Sequence, residues 1–194
     1  MSILKSNKHV LRKKVKLIIA QLNSEERDRQ SRKVFEKLCS LPQFQQSRKV
    51  SVFLSTEYEI NTLPILKHLF KTKKEVFVPT YKGKEMKMVK LFSMEEYENL
   101  VLTKWNIKQP KFDETRENAL ENGNLDLIIL PGVAFTRDGK RLGHGMGYYD
   151  SFLNAYVKEQ KKPYLIAVAF NEQIWDDIPI SEKDVSVDLV LTEK

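Results

Sequence analysis

Five of the chain's seven glycines lie within sixteen residues and directly precede a helical pattern. They are Gly132, Gly139, Gly143, Gly145 and Gly147. Glycines that alternate along a loop allow positive φ angles and bring bare N–H groups close to a ligand. The first N–H groups of a helix lack intrahelical partners and the helix dipole is positive there, so an anion is stabilised at that position. Because Lys140 and Arg141 add positive charge, we predict a phosphate-binding loop.

The spacing of these glycines excludes two common phosphate-binding motifs. A Walker A motif requires Gly-x4-Gly-Lys-Ser/Thr, whereas residues 139–141 read Gly-Lys-Arg and no glycine lies five positions before Gly139. Residues 143–147 read Gly-x-Gly-x-Gly, which is not the G-x-G-x-x-G fingerprint of a dinucleotide-binding fold. Zinc and serine-hydrolase chemistry are not favoured, because the three histidines lack ligand spacing, Cys39 is the only cysteine and no G-x-S-x-G sequence occurs.

The elements that position this loop alternate between strand-like and helical patterns. Apolar residues at helical spacing predict helices, and short apolar runs between turn residues predict strands. We expect helices at 8–22, 24–40, 62–70, 93–100 and 148–160. We expect strands at 50–54, 75–79, 87–92, 125–130, 164–170 and 187–191. Ser24 is expected to cap the second helix, and Pro79 is expected to end the second strand.

This alternation predicts one α/β domain over residues 1–194, with a mostly parallel β-sheet flanked by helices on both faces. The runs at 126–130 and 164–170 are continuously apolar, as expected of strands that are covered on both sides. Ligands bind beyond the carboxyl ends of the strands in such sheets. Residues 57–61, residues 79–84 and the glycine-rich loop all follow strands, so we expect them to meet at that edge.

The composition, with 41% hydrophobic and 30% charged residues, is that of an ordinary globular protein. No apolar run approaches the roughly 20 residues that cross a bilayer, and no secretory signal pattern is visible, so we expect a cytoplasmic protein. The net charge of +7 fits nucleic-acid binding, attraction of small anionic ligands or a solvated surface. The 25 lysines and 8 arginines are scattered, which favours the second and third interpretations over base-specific recognition.

The glycine-rich segment is also the centre of a family resemblance. Pro131-Gly132 followed by Arg141-Leu-Gly-His-Gly-Met-Gly-Tyr-Tyr-Asp150 resembles the signature of the 5-formyltetrahydrofolate cyclo-ligase (methenyltetrahydrofolate synthetase) family. Other segments that resemble this family occur in the same order along almost the whole chain. They are residues 8–12, 53–59, 77–81, 105–110 and 187–190.

The resemblance implies an ATP-dependent ring closure. ATP would phosphorylate the N5-formyl oxygen of 5-formyltetrahydrofolate, N10 would attack the activated carbon, and phosphate would leave to give 5,10-methenyltetrahydrofolate and ADP. An amide oxygen is a poor leaving group until it is phosphorylated, so the protein supplies mainly positioning and charge stabilisation. The implied cofactors are Mg²⁺ and ATP as co-substrate. We expect a monomer that binds these small molecules, without a membrane or nucleic-acid partner.

The resemblance also implies roles for individual residues. Arg141 and Tyr149 are the implied catalytic residues, and Asp150 and Asp188 are the implied magnesium ligands. The implied folate-binding residues are Leu54, Glu59, Tyr81 and Trp105. The implied ATP-binding residues are Lys8, Arg12, Arg141, Leu142, Gly143, His144, Gly145, Met146, Gly147, Tyr148 and Tyr149.

The chain departs from the family pattern within the glycine-rich loop. Members of the family often carry a basic residue at the place of His144 or Met146. Met146 cannot neutralise a phosphate, and an imidazole does so only when it is protonated. We therefore expect most of the phosphate contacts to come from Lys8, Arg12 and Arg141.

Without the resemblance, several of these residues have simpler explanations. Lys8 and Arg12 lie one helical turn apart on a basic helix, a pattern that is usually a solvated face. Tyr149 belongs to the apolar stripe of its helix, and Asp150 is a favourable charge in the first helical turn. Asp188 can be a solvent-facing residue at the edge of a strand.

Two other functions stay open at this point. A basic nucleic-acid-binding module is compatible with the net charge, and it would concentrate arginines and aromatic residues on one surface. A relative of phosphosugar isomerases or CoA-transferases would share an α/β fold without sharing this site.

Overall fold

The computed structural model describes residues 3–103, 106–122 and 124–194, and a six-stranded sheet forms its centre. The strands are β1 (Lys49–Val52), β2 (Glu75–Lys82), β3 (Glu85–Leu91), β4 (Leu127–Leu130), β5 (Ala134–Phe135), β6 (Arg141–Leu142), β7 (Tyr164–Val168) and β8 (Leu189–Leu191). The helices are α1 (Ile3–Gln21), α2 (Ser24–Ser40), α3 (Pro42–Gln46), α4 (Leu63–Lys71), α5 (Met94–Asn99), α6 (Ala119–Asn122) and α7 (Tyr148–Glu159). No helix in these ranges combines the length and the apolar character that a membrane span requires.

The sheet has the order β3-β2-β1-β4-β7-β8, and every neighbouring pair is parallel except β2 with β3. Its central strands are apolar because both of their faces are covered; all four residues of β4 are buried. The chain adds strands in one direction from β1 to β3 and in the other direction from β4 to β8, so the winding reverses between β1 and β4. Loops diverge at such a reversal and leave a crevice at the carboxyl ends of the two strands.

The crossover connections place helices on both faces of the sheet. α4 connects β1 to β2, and α7 lies between β4 and β7, so right-handed crossovers in opposite directions put these helices on opposite sides. On one side, the ring of His68 in α4 lies 5.8 Å from the rings of both Phe35 in α2 and Phe44 in α3. On the other side, α7 packs against α6 and β3. The predicted fold class is therefore confirmed.

Two local predictions are wrong. β2 continues through Pro79 to its end at Lys82. Within the described residues, β1 pairs only with the first three residues of β2, so Pro79 has β3 as its sole neighbouring strand. A strand tolerates proline there, because alternate N–H groups of an edge point away from the ladder. Helix α2 is capped by the side chain of Asn23, which accepts an N–H of the first turn at 2.8 Å, rather than by Ser24.

Candidate active site

A cleft of 460 Å³ opens at the crevice between β1 and β4. Its walls come from residues that follow β1, from Pro79 and Tyr81 of β2, from Pro131 after β4, and from the glycine-rich loop with the first turn of α7. The three regions expected to meet at this edge, residues 57–61, residues 79–84 and the glycine-rich loop, all contribute side chains to it. Ligands of open α/β sheets bind at such a reversal of strand order, so this cleft is the candidate active site.

Two glycines directly before α7 have backbone conformations that favour glycine. Gly145 has a φ angle of 114° and Gly147 has a φ angle of 71°, values that residues with a side chain seldom adopt. Gly147 is also the N-cap of α7, and its carbonyl oxygen accepts the N–H of Ser151 at 2.9 Å. Without a side chain at the cap, the first N–H groups of α7 lie open to the cleft, which is the arrangement that binds an anion.

Helix α1 is joined to this loop by Arg12. Its Nε donates to the carbonyl oxygen of Gly143 at 2.8 Å, and a Cβ atom on Gly145 would lie 3.5 Å from its Cζ. Burial lowers the pKa of Arg12, and the nearby carboxylate of Asp184 partly opposes this shift. The guanidinium group is therefore part of the loop's structure as well as a positive charge beside it.

Arg141 begins the loop as a buried cation whose side chain is only 2% exposed. Its Nη2 donates to Oδ1 of Asp150 at 2.7 Å, and its Nη1 donates to the carbonyl oxygen of Pro131 at 3.3 Å. Its Cζ lies 5.8 Å from the ring centroid of Tyr149. Among the described residues, Nε of Arg141 is buried without an acceptor. An unmatched buried donor costs about 1–3 kcal/mol, so the site favours a further oxygen acceptor at this point.

Asp150, in the first turn of α7, accepts two hydrogen bonds on the same oxygen. Its Oδ1 accepts from Arg141 and from the backbone N–H of Val185 at 3.1 Å. Within the described parts of the chain, no hydrogen bond reaches Oδ2. The carboxylate thus has one oxygen that the fold uses and one oxygen that a ligand can use.

Asp184 is a residue of this region that the sequence interpretation missed. Its carboxylate forms an ion pair with Lys8 of α1 and accepts the N–H and hydroxyl of Ser181, while the neighbouring Val185 bonds to Asp150. Burial alone would raise the pKa of Asp184, but the bonds from Lys8 and Ser181 outweigh burial and lower it. No spacing of acidic residues in the sequence identifies Asp184. It lies beside α1 only because the chain returns there after β7.

Asp188, the second implied magnesium ligand, lies at the amino ends of the strands, away from the cleft at their carboxyl ends. It precedes β8, and its carboxylate accepts Nζ of Lys162 at 2.7 Å and the backbone N–H of Leu165 at 2.8 Å. Both partners lie at the amino end of β7, and Asp188 does not line the cleft. Among the residues that the structure describes, no three histidine, cysteine or acidic side chains are grouped to hold a metal ion. Magnesium beside Asp150 would therefore need oxygen ligands from a substrate.

Glu59, an implied folate-binding residue, is held in the wall of the cleft by two neighbours. Its Oε2 accepts the N–H and the hydroxyl of Thr56 at 2.8 and 3.0 Å, and its Oε1 lies 3.2 Å from Nε2 of His144. Burial alone would raise the pKa of Glu59, but the bonds from His144 and Thr56 outweigh burial and lower it. Glu59 is therefore ionised and oriented, as a carboxylate that accepts N–H groups of a ligand must be.

Three tyrosines line the same cleft. The ring centroids of Tyr81 and Tyr148 are 4.8 Å apart, and the hydroxyl oxygens of Tyr81 and Tyr149 are 3.4 Å apart. Burial raises the pKa of Tyr81 and of Tyr149. Both hydroxyls therefore stay protonated and can donate a hydrogen bond, and the ring faces suit stacking on a heterocycle.

The other implied residues differ in their relation to the cleft. Leu142 is buried in β6 and does not line the cleft, and its carbonyl oxygen accepts the N–H of Val133 at 2.7 Å. Leu54 is a buried lining residue, whereas Met146 lines the cleft with 61% of its surface exposed. Trp105 lies outside the described residues.

A second cleft, of 570 Å³, adjoins the first. Val15 and Ile19 of α1 contribute an apolar side, and Tyr58, whose ring lies 5.2 Å from the guanidinium of Arg27, contributes an aromatic one. Four residues line both clefts and so form a common wall; they are Lys16, Thr56, Glu59 and His144. Two adjoining cavities can hold two substrates whose reacting groups meet at this wall.

Comparison with known proteins gives a family and close relatives. The model of the 5-formyltetrahydrofolate cyclo-ligase family matches residues 4–193. A Mus musculus protein named 5-formyltetrahydrofolate cyclo-ligase is 46% identical over 191 residues, which cover 97% of this chain and 94% of that protein. A Caenorhabditis elegans protein named probable 5-formyltetrahydrofolate cyclo-ligase is 41% identical over 197 residues, which cover 100% of this chain and 96% of that protein.

Two solved structures have folds similar to that of this chain. The NMR structure of Aquifex aeolicus 5,10-methenyltetrahydrofolate synthetase matches with a TM-score of 0.77 at 34% identity, covering 96% of this chain and 90% of that one. A 5,10-methenyltetrahydrofolate synthetase from Mycoplasma pneumoniae matches with a TM-score of 0.73 over 97% of this chain and 99% of that one. Its identity is 18%, so this second likeness shows the fold alone.

Proposed function

We propose that this chain, which belongs to the 5-formyltetrahydrofolate cyclo-ligase family, catalyses the ATP-dependent cyclisation of 5-formyltetrahydrofolate to 5,10-methenyltetrahydrofolate. The formyl oxygen is phosphorylated by ATP, and ADP is released. N10 then attacks the formyl carbon, and the C–O bond breaks as phosphate leaves. The proton lost by N10 ends on the phosphate, so atoms and charges balance.

The observation that carries this proposal is the glycine-rich loop, which lines the first cleft with Gly143 and Gly147 and reaches the adjoining second cleft at His144. The loop combines open N–H groups at the start of α7 with the guanidinium groups of Arg12 and Arg141, a combination that suits a polyphosphate. Two adjoining clefts that share a wall with this loop at His144 give each substrate its own cavity. The transferred group then has a short path from one substrate to the other.

We assign folate to the first cleft. Its lining is mainly apolar and aromatic, and the ionised carboxylate of Glu59 is the acceptor that an amino-pyrimidine edge requires. Leu54 supplies apolar contact beside it, and Tyr81 supplies a ring face for the pterin. Trp105 stays a proposed folate contact on the family resemblance alone.

We assign the nucleotide to the second cleft, with its phosphates reaching the glycine-rich loop at the wall where His144 lines both clefts. Arg12 is fixed to the loop at Gly143, and Arg141 is fixed by Asp150, so neither guanidinium has to be reoriented when the phosphates arrive. Prearranged charge of this kind stabilises a transition state without a reorganisation cost during the reaction. The ring of Tyr149 lies beside the guanidinium of Arg141. Because its pKa is raised, Tyr149 keeps its hydroxyl proton and can donate a hydrogen bond to an oxygen that gains negative charge.

Magnesium is part of the proposal, because the donor set fits it. Asp150 offers one carboxylate oxygen beside the loop, and Mg²⁺ commonly takes one or two carboxylates together with phosphate and water oxygens. Asp184 is the better candidate for a second carboxylate than Asp188. Asp184 pairs with Lys8 of α1, and its neighbour Val185 bonds to Asp150. Asp188 lies at the amino ends of the strands. A magnesium ion bound there would neutralise phosphate charge.

We further propose a cytoplasmic monomer as the working form of this enzyme. Gel filtration of the purified chain tests the monomer, and microscopy of a tagged chain tests the compartment.

The direct test is to incubate the purified chain with 5-formyltetrahydrofolate, ATP and Mg²⁺ and to follow methenyl absorbance together with ADP release. Both products should form in equal amounts, and omitting ATP or adding EDTA should prevent both. Glu59→Gln should weaken folate binding and leave ATP binding nearly intact, whereas Glu25→Gln, at an exposed position outside both clefts, should change neither. ATP hydrolysis without methenyl product would contradict the proposal.

Neither alternative function is supported by the comparisons. The charge distribution also argues against a nucleic-acid-binding module. Several basic side chains are paired with carboxylates instead of lying free on one surface, as in Lys82 with Asp113 and Lys140 with Asp177.

A further inference from the structure

Lys16 of α1 lines both clefts, and the mechanism described above does not use it. Lys8, Arg12 and Lys16 are spaced four residues apart, so they lie along one side of the helix. The first two are engaged by the protein, since Lys8 pairs with Asp184 and Arg12 donates to Gly143. Within the described residues, the exposed ammonium group of Lys16 has neither a hydrogen bond nor an ion pair.

The other three residues of the common wall are bonded to one another. Thr56 donates twice to Glu59, and Glu59 accepts His144 on its other oxygen. Lys16 is therefore the residue of this wall that has an unused donor group.

We propose that the ammonium group of Lys16 binds the γ-phosphoryl group of ATP while this group passes to the formyl oxygen. The inference rests on the proposed function, because that function places one substrate in each cleft. The γ-phosphoryl group must then cross the wall that the two clefts share, and Lys16 is the unpaired cation at that wall.

A lysine suits a moving phosphoryl group better than the arginines nearby. The guanidinium groups of Arg12 and Arg141 are held by Gly143 and Asp150, so they can hold only phosphates that keep their place. An ammonium on a flexible four-carbon stem has three donors that turn freely, so it can follow the group across the wall.

The step is a phosphoryl transfer in which Lys16 keeps its proton. The bond from the γ-phosphorus to the bridging oxygen breaks with its electron pair going to ADP, and the formyl oxygen forms the new P–O bond. In the transition state, charge is spread over the three equatorial phosphoryl oxygens while the group lies between the leaving and attacking oxygens. A cation placed at that point stabilises the transition state more than either ground state.

The test compares Lys16→Met and Lys16→Arg with the control Lys13→Met, which removes the same charge from an exposed position of the same helix outside both clefts. Titrations with ADP and with a non-hydrolysable β,γ-imido analogue of ATP separate the γ-phosphoryl group from the other two. Lys16→Met should weaken analogue binding about tenfold to a hundredfold and ADP binding less than about twofold, since one charge-assisted contact is lost. Lys16→Arg should keep most of the analogue affinity, and Lys13→Met should match the parent.

Turnover provides the second measurement. Lys16→Met should lower kcat for methenyl formation by at least about tenfold, with the KM for 5-formyltetrahydrofolate unchanged. Equal weakening of ADP and analogue would place Lys16 on the inner phosphates and overturn the inference. A change confined to the KM for 5-formyltetrahydrofolate would place Lys16 on a carboxylate of that substrate, and it would also overturn the inference. If the parent makes no methenyl product, the proposed function fails by itself, and the two nucleotide titrations still decide whether Lys16 contacts a γ-phosphate.

Discussion

The imidazole Nε2 of His144 lies 3.2 Å from Oε1 of Glu59, so the glycine-rich loop touches the loop after β1 inside the cleft. The carboxylate proposed for pterin recognition thus already has a partner in the protein. The side chain of His144 is 48% exposed and that of Glu59 is 13% exposed, and Thr56 holds Glu59 from the other side. The imidazole can therefore move away while the carboxylate keeps its position, and folate binding competes with this contact.

We predict that His144→Ala binds 5-formyltetrahydrofolate more tightly than the parent, because the substrate no longer has to displace the imidazole from Glu59. The gain should be about twofold to tenfold, the usual net contribution of one hydrogen bond. Calorimetric titrations of both proteins with 5-formyltetrahydrofolate measure the difference.

The contrary outcome is equally specific. If the imidazole binds phosphate instead, His144→Ala would weaken ATP binding and leave folate affinity unchanged. That result would show that the contact with Glu59 does not control access to the carboxylate.

A second prediction separates backbone strain from phosphate binding. Gly147 and Gly83 have φ angles of 71° and 61°, and a Cβ atom at either position would meet no atom within 4 Å. Alanine at either position should therefore cost a similar free energy of unfolding, about 1–2 kcal/mol, because the left-handed conformation disfavours a side chain. Only Gly147→Ala should weaken ATP binding, since Gly147 caps α7 at the cleft. Thermal melts and ATP titrations of both variants test this, and equal ATP affinities would argue against a phosphate at the start of α7.

A third prediction compares the two carboxylates implied by the family resemblance. Asp150→Asn should lower kcat by about a hundredfold or more, the usual effect of removing a group that stabilises the transition state. Asp188→Asn should change kcat less than about threefold, because its pair with Lys162 is largely exposed and such pairs contribute at most about 1 kcal/mol. Rates at saturating Mg²⁺ and substrates give the comparison, after circular dichroism has established that both variants are folded. Equal losses would restore Asp188 as a site residue.

The fold and the position of the loop could be predicted because both follow from local patterns. β4 is a continuously apolar run that ends at Pro131, and the glycine cluster ends where the apolar stripe of α7 begins. Hydrophobic periodicity defines such elements without knowledge of their partners. The alternation of the elements then limits the topology to a parallel sheet with helices on both sides.

The features that could not be predicted depend on contacts between distant segments. Pro79 lies inside a strand because β1 stops pairing before it, and the length of that pairing is not visible in β2 itself. Asp184 meets Lys8 across 176 residues of chain. Lys16 looks like any other residue of a basic helix face until the second cleft is known.

The last prediction concerns Arg141 and Asp150, which form a buried ion pair at 2.7 Å. Arg141→Met and Asp150→Asn both break this pair, and each leaves the other residue without its partner. Breaking a buried pair costs about 3–5 kcal/mol, so the two variants should lose a similar part of the free energy of unfolding.

The effects of the two variants on ATP binding should nevertheless be opposite when EDTA removes the metal. Arg141→Met removes a phosphate donor and should raise the dissociation constant of ATP at least about tenfold. Asp150→Asn removes a negative charge beside the phosphates and should leave metal-free ATP binding unchanged or tighter. Urea denaturation and titrations with ATP in EDTA measure the two quantities. If both variants weakened metal-free ATP binding equally, the ion pair would act only by shaping the loop, and Arg141 would have no direct contact with phosphate.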